Sequence, residues 1–220
     1  MTELPLRQDL PPLPPSIARL PRDRGYPVPW FVAWVDGRPD FRIIDSPKLT
    51  KAIKYGLCWV CGQPIIGRRA YLVGPMCAIN RTSAEPPSHH RCATFSARAC
   101  PFLTRPHARR REIRHVETTE AAGTMIRRNP GVVLVWVTSG TVQVRQLPPE
   151  YGGGVLFDIG APTAVEWWAE GRPATRAEVE ESIRTGLPLL EESAREDGPE
   201  ALDELERMHQ RALRYLPAAA

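Results

Sequence analysis

With 220 residues, 42% of them hydrophobic, the chain can bury a real core as one domain or two small ones. Its longest purely apolar run, Val132–Val137, falls far short of the ~20 residues a bilayer-spanning helix needs, and the N-terminal MTELPLRQDLPPLPP lacks the apolar stretch of a secretory signal. The net charge of +4 hides a split: residues 56–128 hold twelve Arg and four Glu, whereas 148–220 hold seven Arg and fifteen acids, so a basic centre adjoins an acidic C-terminal part.

Residues 1–29 contain eight prolines. That density opposes a regular helix or a central strand and predicts an extended arm, partly polyproline II. PPLPP could dock on a proline-reading domain, or the arm could wrap its own protein. Trp30–Val35 and Phe41–Ile44 are apolar, β-prone runs around Asp36-Gly37, a hairpin signature. Ser46 then caps a short helix that has Pro47 at its first position and Gly56 at its end. Lys48, Lys51 and Lys54 recur along it, either as a phosphate-binding ridge or as a solvated face.

All five cysteines and the pair His89-His90 fall between Cys58 and Cys100. Clustered thiols in odd number point to a reducing, cytoplasmic compartment and to metal ligation over disulfides. Cys58-x2-Cys61 followed by Gly62 has the form of a zinc knuckle. His89-x2-Cys92 supplies the second half-site, on a helix capped by Ser88 whose first turn presents both residues on one face. Two sulfurs from a turn, then a His and a Cys from a helix start, make a closed tetrahedral zinc shell. With a strand near Ala70–Val73 between the half-sites, this segment resembles a treble-clef zinc finger. His90 could replace His89, and Cys77 in GPMCAIN, near the return of the hairpin, could displace either; Cys100 reads as a buried free thiol. The spacing lacks a ferredoxin run, which disfavours an iron–sulfur cluster.

After Pro101 and Pro106, RPHARRREIRH (105–115) packs five Arg with His107 and His115, a cluster suited to phosphates, to an acidic partner or to this chain's own acidic part. Candidate strands follow at Met125–Arg128, Val132–Thr138, Thr141–Arg145, Val155–Ile159 and Ala164–Trp168, with turns at Asn129-Pro130-Gly131 and Ser139-Gly140. In the last strand Val165 and Trp167 share one face, Glu166 and Trp168 the other. Tyr151–Gly154 lacks the Lys-Ser/Thr ending of a phosphate loop. Thr175-x-x-Glu178 is a capping box, and Gly186-Leu187-Pro188 is expected to end its helix. A short helix over Leu189–Glu196 and a last one from Pro199 follow, the latter with Leu202, Leu205, Met208, Ala212, Leu213 and Leu216 as an apolar stripe toward the sheet.

Four protein ligands leave no coordination position for water, so the zinc reads as structural. The treble-clef scaffold also hosts HNH-type nucleases, and Asn80, His89 and His90 echo that motif. No Asp-His or His-His pair precedes Asn80, however, and His89 is committed to zinc. A Cys77 thiol enzyme lacks a clear general base. The loop from Gly74 to Cys92 is either a recognition loop held by zinc or a connection that satisfies its own backbone.

CWVCG, GPMCAINR, EPPSHHRCA and ACPFL, with RRNPGVVLVW and AEGRPATRAEVEESI, resemble a bacterial and phage protein family that carries no assigned activity. The resemblance runs from about Gly25 to Leu216. It implies one unit rather than a finger fused to an unrelated domain, and a phage or bacterial origin.

The expected architecture is α+β, a treble-clef-like zinc module packed with a small antiparallel sheet and C-terminal helices. Its segments are a Pro-rich arm (1–29), a hairpin plus zinc module with a basic tail (30–115), and a β-rich segment followed by helices (116–220). Cys58, Cys61, His89 and Cys92 hold the zinc. Lys48, Lys51, Arg68, Arg69, Arg81, Arg109, Arg110 and Arg111 are the candidate nucleic-acid contacts of a zinc-stabilised binding protein. A protein–protein adaptor or inhibitor acting on a host protein is the alternative, and a metal-dependent HNH-like nuclease the third.

Overall fold

The computed structural model describes residues 7–105, 129–148 and 153–219. In the proline-rich arm, Pro15 opens a single helical turn, α1 (Pro15–Ala18). Strands β1 (Arg22–Asp23) and β2 (Tyr26–Pro27) then pair across a turn with Arg24 and Gly25 at positive φ. The expectation of an extended arm without regular helix is therefore corrected at one turn: proline opposes a helix interior, but its fixed φ suits a helix start. The arm also lies on its own protein, with Ile17 and Val28 each 1% exposed.

The next hairpin, β3 (Val32–Val35) and β4 (Arg38–Ile44), turns at Asp36-Gly37, both in the left-handed region. Helix α2 (Ser46–Tyr55) follows. Its N-cap is Asp45, one residue before the expected Ser46, because the Asp45 carboxylate accepts the Lys48 N–H at 3.1 Å. Gly56, left-handed at φ 60°, ends it.

Strand β5 (Arg69–Val73), helix α3 (Pro75–Asn80), strand β6 (Thr82–Ser83) and helix α4 (His90–Ala99) complete the cysteine-bearing segment. Beyond it come β7 (Val133–Thr138), β8 (Gln143–Gln146), β9 (Val155–Asp158), β10 (Ala164–Ala169), β11 (Arg172–Pro173), α5 (Arg176–Asp197) and α6 (Pro199–Ala212). The central antiparallel sheet has the order β11-β10-β7-β5, and a smaller one the order β6-β9-β8. The cysteine-bearing segment and the C-terminal segment thus share both sheets.

Every residue of β7 is buried, because both sheet faces are covered. Tyr71, Val73, Leu134, Trp136 and Trp167 face a core completed by Ala78 and Ile79 of α3, Val179 and Ile183 of α5, and Leu205 of α6. Ala70, Val133, Val135 and Val137 face Ala93 and Ala97 of α4, with Trp168 beside them. The period-2 alternation of β10 holds. Trp167 enters the first core and donates its Nε1–H to the Tyr215 carbonyl at 2.8 Å, while Trp168 turns toward α4.

Three further expectations are corrected. GPMCAIN is a helix, with Pro75 in its first turn, where its missing N–H breaks no bond. The Ser139-Gly140 turn joins no hairpin, since β7 and β8 lie in different sheets. Helix α5 does not stop at Gly186-Leu187-Pro188 but continues to Asp197. Ile183, Leu187, Leu190 and Ala194 form one stripe packed on the core, and that burial outweighs the one hydrogen bond Pro188 removes. The expected strand Met125–Arg128 lies outside the described residues. No helix among the described residues is long and apolar enough to cross a membrane.

Candidate metal centre

The first half-site is a turn closed by its own backbone. The Gly62 N–H donates to the Cys58 carbonyl at 2.8 Å, the Cys58 N–H to the Gln63 carbonyl at 2.8 Å, and the Ile65 N–H to the Gly56 carbonyl at 2.9 Å. This folds Cys58 and Cys61 toward one point. Gly62 is required twice: its φ is +72°, and a Cβ there would lie 2.7 Å from the Trp30 ring. That ring packs edge-on against Trp59, whose other neighbour, Phe31, stacks on it at 4.9 Å.

The second half-site is fixed by the sheet. Ala70 of β5 and Ser88 exchange backbone hydrogen bonds of 2.9 and 2.7 Å. Ser88 is therefore a bridge residue, and the N-cap of α4 is His89, which corrects the expected Ser88 cap. The Trp59 N–H donates to the Pro87 carbonyl at 3.1 Å, tying the two half-sites together.

Cys58, Cys61, His89 and Cys92 converge as expected, with all four donor atoms within 4.8 Å of one another. His89 Nδ1 lies 3.4 Å from Cys61 Sγ and 3.9 Å from Cys92 Sγ. A tetrahedron with metal–sulfur bonds of ~2.3 Å and metal–nitrogen of ~2.0–2.1 Å has edges of about 3.5–3.8 Å, so these separations fit one ion. The tautomer fits as well. His89 Nε2 lies 3.1 Å from the Pro64 carbonyl, which can only accept. Nε2 carries the proton, and the Nδ1 lone pair faces the three sulfurs.

The three thiols share their protons unequally. Hydrogen bonding from Cys58, then from Cys92, pulls the Cys61 thiol far below its ordinary value, while bonding to Cys61 pushes Cys58 up and bonding to Cys58, then Cys61, pushes Cys92 up. The His89 N–H donates to Cys58 Sγ at 3.3 Å. The three cysteines are at most 5% exposed and pack with Ile17, Val60, Phe95 and Ala99.

The other candidates go elsewhere. His90 Nε2 meets Glu166 Oε1 of β10 at 2.5 Å, outside the cluster, and the second carboxylate oxygen accepts from Thr94 at 3.3 Å. Cys77 packs against the main core from α3, where burial pushes its thiol up. Cys100 is half-buried at the end of α4.

Of the candidate phosphate contacts, Lys51 and Arg68 are exposed. Lys48 is held by Asp45 at 2.9 Å and by the Val32 carbonyl at 3.0 Å. Arg69 donates to the Gly140 carbonyl at 3.1 Å. Arg81, left-handed at the end of α3, lies over the rings of Trp136 (5.6 Å) and Tyr215 (5.9 Å). Three of these five cations are thus engaged within the protein, and two are exposed. Arg109, Arg110, Arg111, His107 and His115 lie outside the described residues.

One residue that touches the centre and one beside it escaped sequence reading. The Ser16 hydroxyl lies 3.5 Å from Cys92 Sγ, and Glu166 anchors His90. Both pairs are 76 residues apart in sequence, and no local pattern announces either. No family model, curated protein or solved structure matches the chain.

Proposed function

We propose that this is a binding protein built on one structural zinc ion, held by Cys58, Cys61, His89 and Cys92. The convergence of these four donors, with His89 fixed by Pro64, carries the reading. Three thiolates and an imidazole are the donors zinc takes in closed structural sites. Once bound, the ion supplies a tetrahedral cross-link between the knuckle and the start of α4. A turn bearing two ligands, an intervening strand β5 and a helix start bearing the other two form a treble-clef-like order. Four protein ligands leave no position for a reacting water, so the role is support, not catalysis.

The partner in this reading is nucleic acid, reached through the basic central region. Lys51 and Arg68 supply exposed charge near the knuckle, and Arg109–Arg111 extend it in sequence. A protein partner is the second reading. It is favoured by the β3–β4 hairpin, which exposes Trp34, Val35 and Phe41 at 43, 37 and 39%; apolar rings held out in water mark contact surfaces.

Elemental analysis combined with mobility shifts on single- and double-stranded DNA and RNA tests the proposal. One zinc per chain, with binding that weakens steeply between low and moderate salt, is the expected result. One zinc with no nucleic-acid binding at any salt would remove the nucleic-acid reading and leave the hairpin. Iron in place of zinc would overturn the assignment of the centre.

A further inference from the structure

We propose that the N-terminal segment is the gate of the metal centre: α1 closes over the ligand cysteines and sets how fast the metal can leave. This rests on the zinc reading above. Ile17 is 1% exposed, and the apolar cluster it joins consists of Cys58, Val60, Cys61, Cys92, Phe95 and Ala99. Leu10, Leu13 and Leu20 pack against the same cluster. The arm therefore forms one wall of the site.

Its neighbour Ser16 brings the only arm hydroxyl recorded at the centre among the described residues, with Oγ 3.5 Å from Cys92 Sγ. Toward a metal-bound thiolate, which has no proton, that hydroxyl acts as donor. Such a bond holds the sulfur in place and must break before the sulfur can swing away from its partners. Ile17, one residue on, keeps water and chelator from the sulfurs.

The helical turn closes on itself, and the arm is tied to the knuckle beyond it. The Ile17 and Ala18 N–H groups donate to the Pro14 carbonyl at 2.8 and 2.9 Å. The Trp30 N–H donates to the Val60 carbonyl, between the two knuckle cysteines, at 2.7 Å. Few backbone bonds tie residues 7–20 to the rest of the protein: only Arg7 to Gly25 is recorded outside the helical turn and its flanks among the described residues. A segment held mainly by apolar contact can open without unfolding the sheet. Conversely, the surface it covers exists only while the cysteines are drawn together, so metal and arm hold each other in place.

The test is the rate of zinc transfer from the full-length, zinc-loaded protein to excess pyridylazoresorcinol, compared among the parent, Ser16→Ala and Ile17→Asp. Ile17→Asp is expected to speed release by about tenfold or more, the factor that goes with losing one fully buried aliphatic side chain from the closed state. Ser16→Ala should speed it about threefold, as for one hydrogen bond. Equal rates in all three proteins, each holding one zinc and the parent's circular dichroism, would overturn the gate.

Should Ile17→Asp fail to fold, trypsin on the parent decides with Ser16→Ala. Cleavage after Arg19 and Arg22 should be slow with zinc and fast once it is chelated, and equal cleavage would overturn the coupling. A parent that takes up no zinc overturns the zinc reading itself. It is recognised at the loading step, before any rate is compared.

Discussion

Gly62→Ala is the sharpest test of how the knuckle is built. The new Cβ would lie 2.7, 2.7 and 2.9 Å from three atoms of the Trp30 indole, closer than real Cβ atoms come, and the backbone would stay at φ +72°. The indole is poorly placed to yield, because the Trp30 backbone N–H is tied to the Val60 carbonyl at 2.7 Å and the ring packs against Trp59. The left-handed backbone costs about 1–2 kcal/mol. The overlap adds about 1–3 kcal/mol as an overpacked contact, and restriction of the unfolded chain returns about 0.4–1 kcal/mol. The net loss is roughly 2–4 kcal/mol, or about 5–15 °C of Tm for a chain of this size. Gly67→Ala is the control. Its φ is +80°, but no atom lies within 4 Å of its Cβ, so only the backbone cost of about 1 kcal/mol applies. Both variants are to be melted zinc-loaded, under one buffer and one metal concentration. Losses equal to within about 0.5 kcal/mol would refute the claim that the knuckle is built against Trp30, since additive sites agree at that level.

Other expectations follow from the same geometry. His89→Ala should weaken zinc affinity by more than about 100-fold, beyond the loss of a mere hydrogen-bond partner of a ligand, while His90→Ala keeps one zinc per chain; competition with a chelator measures both. His90→Ala should cost less than about 1 kcal/mol, because its bond to Glu166 is half exposed. Arg172, then the Thr175 N–H, hold the Glu178 carboxyl at about 2, down from an ordinary 4.5. A depressed folded value means stability present above the unfolded value and lost as pH falls through the folded one. Glu178→Gln should therefore lower the urea midpoint at neutral pH, and the gap should close between pH 4.5 and 2. Pro188→Ala, at an exposed position inside α5, restores an N–H to the helix ladder and should raise stability by about 1–3 kcal/mol in thermal melts. A destabilised variant would mean that α5 depends on its proline.

The four converging donors were legible because metal-ligand spacing leaves a local signature: Cys58-x2-Cys61-Gly62 needs only a turn, and His89-x2-Cys92 only the start of a helix. The capping box at Thr175 and Glu178 was legible for the same reason. What escaped is what the chain does at long range. GPMCAIN held a start signal, Gly-Pro before an apolar stretch, but six residues show too little periodicity to outweigh a turn. Gly186-Leu187-Pro188 is a stop by every local rule, and only the core that receives Leu187 and Leu190 explains why the helix runs on. Charge pattern misled most. Arg81 counts as a surface cation in sequence, yet its guanidinium lies over Trp136 and Tyr215, so a count of arginines overstates the charge open to a partner.

Helix α4 shows why a structural metal suits this fold. Eight of its ten residues fall into three stripes. Cys92, Phe95 and Ala99 face the metal core, Ala93 and Ala97 face β5 and β7, and His90, Thr94 and Arg98 face Glu166 and Trp168 of β10. With alanine as its contact to the sheet, the helix sits close but buries little apolar area there. On the proposed zinc reading, the metal stripe supplies the missing restraint by binding the helix start to the knuckle, and the polar stripe sets its rotation. An ion held there would fix a helix whose sheet-facing surface is too small to fix itself. The candidate partner-binding features, the hairpin and Lys51 before the knuckle and Arg68 just after it, all flank this unit in the chain.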